Sequence, residues 1–297
     1  MNRAWQSLSP TVQATLLMLA AMAFFTSMSV FIRLSAQEVD SFVVVFFRNF
    51  LAVVLLAPWL ARVGWNGLRV KRWGLVVSRS LFNVAGMAAG FTAITLIPLA
   101  QATALGFTAP LWTTLGAVLI LGEVIRARRI AALVVGFIGV IVVLRPGFET
   151  LSTGALLALS NAFLLAITTL IVKRLTDTER PEAIVAWMVI LQSPLSLIPA
   201  AFVWTWPSPI TWVWLFCLAG AGTIGHVCWT RAVQLAEVSQ LQPLEFTKLP
   251  LVALLGFFIF AEIPTVWTWF GGAVIFASTF YISYREAKLA RGHAKAV

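Results

Sequence analysis

The sequence predicts an all-α membrane protein, with ten transmembrane helices arranged as two inverted five-helix repeats. Three observations predict it. Apolar residues make up 60% of the 297 and charged residues 11%, with a mean hydropathy of +0.94, which no soluble domain shows. The stretch Gln101–Glu123 recurs 139 positions later: Gln101, Leu105, Phe107, Thr108, Leu115, Ile120 and Glu123 return as Gln240, Leu244, Phe246, Thr247, Leu254, Ile259 and Glu262. Basic residues fall overwhelmingly on one side of the apolar segments. A repeat of about half the chain marks a duplicated block, and duplicated membrane blocks often flank a transport site.

Crossing about 30 Å of hydrocarbon as helix takes about 20 mainly apolar residues. Ten segments qualify: 12–34, 41–60, 74–94, 100–122, 130–145, 152–172, 183–203, 212–233, 239–260 and 266–283. The fifth is the shortest. Little sequence remains outside them, so no extramembrane domain is expected. The first segment is too long for a signal-peptide core and lacks a small-residue cleavage site, so it reads as a retained helix. Cys217 and Cys228 share one predicted helix, about 16 Å apart, too far for a disulfide. They read as small packing groups.

The formal net charge is +10, and its distribution fixes the orientation. With the N-terminus inside, 16 of the 21 basic residues lie on the cytoplasmic side, among them Arg69, Lys71, Arg72, Arg126, Arg128 and Arg129. The opposite side keeps Arg33 and Arg145, while Arg48, Arg79 and Lys248 fall within spans. The positive-inside rule then places both termini in the cytoplasm. This bias calls for no nucleic acid. Five spans per repeat is an odd number, so span 4 and its counterpart, span 9, run in opposite directions. The expected repeats are 1–146 (helices 1–5) and 147–297 (helices 6–10 with a short cytoplasmic tail), divided at the Arg145-Pro146-Gly147 turn.

The runs PLAQATALGFTAPLWTTLGAVLILGE (98–123), followed by Gly136 and Gly139, and GHVCWTRAVQLAEVSQLQPLEFTKLPLVALLGFFIFAEIP (225–264), followed by Gly271-Gly272, resemble the paired EamA domains of the drug/metabolite transporter superfamily. The resemblance covers essentially the whole chain. It implies a ten-helix carrier whose central cavity is walled by spans 1, 3, 4, 6, 8 and 9, and arginines at the positions of Arg48 and Arg79 are common in that family. It names no substrate. The second repeat departs from the first where Gly106 and Ala109 are replaced by Glu245 and Lys248.

Those two charges are the leading site candidates. A charge at the midplane costs at least about 2.5–3.5 kcal/mol on insertion scales. Glu245 and Lys248 are neighbours on one helix face. They form either a self-neutralising pair or the wall of a water-filled cavity, with Lys248 meeting a substrate anion and Glu245 taking a proton or an amine. Arg79, Asn83 and Gly86 share one side of span 3, where Arg79 either meets substrate or snorkels to the headgroups. Asn161 either joins helices or lines the cavity. His226 and Trp229 share a face with Gly222, and a membrane histidine can carry protons. Thr103 and Phe107 on span 4, with Gln242 and Phe246 on span 9, are candidate walls for a flat ligand, or packing. Arg48 reads as bonded to neighbouring carbonyls. Glu123 and Glu262 end their helices, where the macrodipole disfavours an anion, so each is expected to cap the helix that follows.

The chain has no Walker loop, GxSxG, HExxH or Cys/His metal spacing, and its two histidines, 226 and 293, supply no catalytic cluster. No enzyme, metal or cofactor is expected. The expected function is secondary transport of a small organic metabolite across the inner membrane by alternating access, with protons as the candidate coupling ion. An amino-acid-like zwitterion or anion, exported, is the first reading. Uptake of a vitamin or nucleotide-like cofactor is the alternative, and a non-transporting scaffold or enzyme is the remote one.

Overall fold

The computed structural model describes residues 10–121, 127–144, 152–175, 178–179, 181–235, 241, 244–245 and 247–294. Its helices are α1 (Pro10–Ser35), α2 (Ser41–Gly67), α3 (Trp73–Leu96), α4 (Leu99–Gly106), α5 (Ala109–Leu121), α6 (Ala127–Leu144), α7 (Thr153–Leu175), α8 (Pro181–Phe202), α9 (Pro209–Leu235), α10 (Lys248–Phe260) and α11 (Val266–Ala294). The protein is a helical membrane protein, as the apolar segments predict. Among the described residues, six helices have the length and apolarity to cross a bilayer, and Ile130–Leu144, Lys248–Phe260 and Val266–Ser278 are shorter apolar helices. Several hydroxyls inside these helices are satisfied locally. The hydroxyls of Thr26, Ser80 and Thr168 donate to carbonyls four residues back, at 2.8, 3.0 and 2.9 Å, so these hydroxyls present no bare donor to lipid. α11 continues to Ala294, beyond the expected end of the last span. The expected hinge at 145–147 lies outside the described residues.

Span 4 is broken. α4 ends at Gly106, where the Phe107 N–H reaches the Thr103 and Ala104 carbonyls at 3.3 Å. The Thr108 N–H returns to the Leu105 carbonyl at 3.1 Å, and Thr108 Oγ1 donates to the same oxygen at 2.7 Å. Pro110 follows, without the N–H that would claim the Gly106 carbonyl. Span 9 repeats the device. Thr247 N–H and Oγ1 both donate to Leu244 O, at 3.1 and 2.6 Å, directly before α10. The duplicated Leu-x-Phe-Thr motif is therefore a helix break, written once per repeat. Broken helices inside a membrane are stable only where protein or an aqueous cavity receives the freed carbonyls.

The packing has an internal symmetry. α1 packs on α9 and α3 on α7; α5 on α7 and α10 on α1; α2 on α9 and α3 on α8. Exchanging every span with the one five later converts the first member of each couple into the second. The pairs α2–α8 and α6–α11 map onto themselves, and α4–α10 joins span 4 to its own counterpart, span 9. The α6–α11 crossing brings backbones together: a Cβ at Gly139 would sit 3.0 Å from the Gly271 carbonyl, and one at Gly271 2.7 Å from the Gly139 carbonyl. Only glycine permits that approach.

Two acidic latches follow the same exchange. After α1, Glu38 accepts from the Ser208 N–H at 2.7 Å and the Ser208 hydroxyl at 2.6 Å, and from the Thr211 hydroxyl, at the start of α9. After α7, Glu179 accepts from the N–H groups of Lys71 and Arg72, at 3.1 and 3.0 Å, at the start of α3. Each carboxylate caps a helix N-terminus, where free N–H groups favour an anion. The Ser208 and Thr211 hydroxyls hold the Glu38 carboxyl below the usual carboxylate range.

Candidate substrate-binding site

The charged residues of the spans converge on α9. His226 is exposed and stands edge-on to Phe25 of α1, with ring centroids 5.0 Å apart. One turn on, the Trp229 indole N–H donates to Glu245 Oε1 at 3.2 Å, and Glu245 in turn lies in the field of Lys248. The geometry thus joins α9 to Glu245 through Trp229, and brings Arg48 against α9 at Gly222, where an added Cβ would lie 3.7 Å from its Nε. Glu245 and Lys248 are each part-exposed. They form no ion pair within 4.0 Å, the distance met among the described residues by Arg33–Glu262. The self-neutralising pair is therefore not formed, because Glu245 is held by the tryptophan instead.

The other polar candidates lie on α3 and α7. Arg79 does not snorkel. Its guanidinium turns inward to α8, with Nη1 3.4 Å from the Ile184 carbonyl and Nη2 3.1 Å from Met188 Sδ, while its buried Nε has no partner. Asn83 lies one turn further along α3 and is part-exposed. Asn161 of α7 is seated on a glycine cradle: a Cβ at Gly90 would lie 2.8 Å from its Cγ and Nδ2, and one at Gly86 3.5 Å from its Oδ1. The glycines bring α3 and α7 close enough for an amide to sit between them, so Asn161 serves helix packing and keeps part-exposed surface as well.

Other expected residues go elsewhere. Phe107 packs against α11, with its ring centroid 6.3 Å from that of Phe276, while its backbone stays helical at the end of α4. It is not a wall of this site. Thr103 is part-exposed on α4. Arg48 bonds not to carbonyls but to Asn49 Oδ1 at 3.0 Å, while Asn49 Nδ2 reaches Ser196 Oγ at 3.3 Å. Gln242, Phe246 and Glu123 lie outside the described residues.

Glu262 caps a different helix from the one expected. Its Oε2 accepts the Leu99 N–H at 2.9 Å, at the start of α4, and its Oε1 pairs with Arg33. The helix that follows it is capped already, since Thr265 Oγ1 takes the Thr268 N–H at 3.2 Å. The reach backwards is made by Ala261, in left-handed conformation at φ 55°, which lets the Glu262 N–H close onto the Gly256 carbonyl at 3.1 Å. Arg33 also donates to the Ile94 carbonyl at 2.7 Å and stacks its guanidinium 5.1 Å from the Phe260 ring centroid. A cavity lined by Arg33, Gln37, Thr95, Pro98, Phe260 and Glu262 opens beside this pair, at the end of the bundle and away from α9's charged face. An unsatisfied arginine and glutamate at span ends were the sequence signal for this pair.

A model of the EamA-like transporter family matches residues 13–145 and, a second time, 152–284. The chain belongs to the EamA-like transporter family. It is similar to a riboflavin transporter of Vibrio cholerae, 32% identical over 246 residues, covering 81% of this chain and 82% of that protein. It is also similar to an S-adenosylmethionine uptake transporter of Rickettsia prowazekii, 30% identical over 251 residues, covering 84% and 85%. A solved crystal structure superposes with a TM-score of 0.64 at 19% identity over 93% of this chain and 98% of that one, a likeness of fold. This EamA-like chain is a membrane transporter of a small molecule, not an enzyme.

Proposed function

We propose that this transporter takes up a flat, cofactor-like metabolite across the plasma membrane by alternating access between two inverted repeats, with both termini cytoplasmic. The observation that carries the reading is the similarity, over more than four-fifths of the chain, to carriers named for riboflavin and S-adenosylmethionine, two compounds built on fused heteroaromatic rings. That similarity favours uptake of a cofactor-like compound over export of an amino-acid-like one. The run of α9 supports it chemically, since Trp229 and His226 offer aromatic surface beside Glu245 and Lys248. Aromatic faces bind flat rings, and a few convergent charges fix their orientation.

In this reading Trp229 and His226 stack on the ring, Lys248, Arg79 and Asn83 bind its polar substituents, and Glu245 holds the tryptophan in place. Symmetric packing of span n with span n+5 supplies the two equivalent arrangements that alternating access needs. Purified protein in liposomes should accumulate labelled riboflavin or S-adenosylmethionine saturably, above empty vesicles. Folded protein that moves neither, with or without an imposed proton gradient, would sink the proposal.

A further inference from the structure

We infer that the basic end of α3 binds an anionic phospholipid, its headgroup on Lys71, Arg72 and Arg174 and an acyl chain along Trp73, Val77 and Leu81. This site is separate from the transported substrate and stands whatever that substrate is. Arg69, Lys71 and Arg72 lie between α2 and α3, and Arg174 lies in the last turn of α7, in the other repeat; all four are exposed. Three contacts hold these segments together. Arg72 Nη1 is 3.4 Å from the Arg174 carbonyl. Glu179, just past α7, accepts the N–H groups of Lys71 and Arg72 at 3.1 and 3.0 Å. The Trp187 indole of α8 donates to the Leu68 carbonyl at 2.7 Å. Beneath them Val76, Leu175 and Ile184 form a buried apolar cluster.

The Glu179 carboxylate is taken up by backbone N–H groups, and among the described residues none of these cations has an ion-pair partner within 4.0 Å. Like charges from two repeats are thus gathered around one buried carboxylate, and their repulsion is relieved by an anion from outside. The positive-inside rule asks only that cytoplasmic loops be basic, not that cations of two loops meet. At the symmetry-related corner Glu38 makes the same kind of cap on α9, yet the segment 203–208 beside it carries no lysine or arginine. The adjoining helix surface names the class of anion. Trp73, Val77 and Leu81 are 45%, 44% and 54% exposed, and their spacing of four makes one stripe down α3 that starts at the residue after Arg72. Trp73 stands edge-on to Trp187, with ring centroids 4.6 Å apart, and paired indoles suit the boundary between headgroups and chains. A soluble phosphate leaves this stripe bare. An acidic phospholipid covers both parts, its phosphate on the guanidinium and ammonium groups and its chain on the stripe. In the proposed orientation the site faces the cytoplasmic leaflet.

The test titrates full-length protein, delipidated in detergent, with phosphatidylglycerol or phosphatidylcholine of identical chains, and counts bound lipid by native mass spectrometry. Phosphatidylglycerol is expected to bind at least about tenfold more tightly than phosphatidylcholine. Lys71→Gln with Arg72→Gln should remove most of that preference, and both changes keep the backbone N–H groups that Glu179 uses. Arg128→Gln with Arg129→Gln, an equal loss of charge at the start of α6, should retain it. Trp73→Ala should weaken phosphatidylglycerol binding several-fold. Glycerol phosphate, the headgroup without chains, should not displace the lipid. Melting temperatures in lipid-free detergent check that each variant folds, and Arg174→Gln, which keeps its carbonyl bonded to Arg72, repeats the test should the first pair unfold. Equal affinity for the two lipids overturns the inference. So does an equal loss of preference from the two double variants, which would make the attraction a property of the whole basic surface. Displacement by glycerol phosphate overturns it as well, by reducing the site to one for a soluble anion.

Discussion

Position 109 in the first repeat is alanine, and its counterpart 139 residues later is Lys248. The sister helix shows that the scaffold works without a charge there, and the amino group finds no ion-pair partner within 4.0 Å among the described residues. Its insertion cost of at least about 2.5–3.5 kcal/mol therefore serves something other than folding. Lys248→Met should abolish uptake in proteoliposomes while the melting temperature in detergent stays level or rises. A fall in melting temperature with transport intact would assign Lys248 to the scaffold. Gly90 makes the opposite case. An added methyl lies 2.8 Å from Asn161 Cγ, and overpacking of this kind costs about 1–3 kcal/mol. Gly90→Ala should lower the melting temperature by several degrees, and Asn161→Ala in the same chain should restore most of it. Additive losses instead would mean the two residues are uncoupled. Charges at 48, 79, 245 and 248 were legible from sequence because a charge in an apolar run stands out by itself. The seat of Asn161 was not, because a cradle is made by two helices and no single segment records it.

At the scale of the element, hydropathy found the apolar spans, since length and apolarity are local properties, but it ran straight through the breaks at Thr108 and Thr247. A threonine hydroxyl bonded to a carbonyl three residues back leaves no trace in an average over about twenty residues. Phe107 stays one helical turn from Thr103 and lies against Phe276 of α11, a neighbour that no single segment records. The end of α10 shows a further case. Ala261 holds φ 55°, in the left-handed region that costs an alanine roughly 1–2 kcal/mol relative to a right-handed turn, whereas the corresponding residue of the first repeat is Gly122. Ala261→Gly removes the Cβ that causes the strain and keeps the bonds of Glu262. It should raise the melting temperature by a few degrees, with uptake unchanged. An unchanged or lower melting temperature would show that the gain is cancelled by chain entropy in the unfolded state.

At the scale of the whole molecule, carboxylates tie one helix to the start of another: Glu38 to α9, Glu179 to α3 and Glu262 to α4. These ties cross between the repeats, so they constrain how the repeats move against each other. The Glu262 tie is the strongest of the three, since it adds the Arg33 pair, with side chains only 12% and 18% exposed. In the proposed orientation it lies at the external end, and it joins span 1 and the start of span 4 to the end of span 9. Breaking a partly buried, hydrogen-bonded charge pair costs about 1–3 kcal/mol, enough to shift a two-state equilibrium by about 5- to 150-fold. Glu262→Gln should therefore open this end more often. The probe is a single cysteine replacing Thr95, in the lining of the adjoining cavity, with Cys217 and Cys228 replaced by serine. A membrane-impermeant maleimide should react with it at least about fivefold faster when Glu262→Gln is added. Arg33→Gln should do the same, and the two substitutions together should add little, because they remove one interaction. Equal labelling rates in all backgrounds, in protein that still binds ligand, would show that the pair caps α4 without latching the repeats.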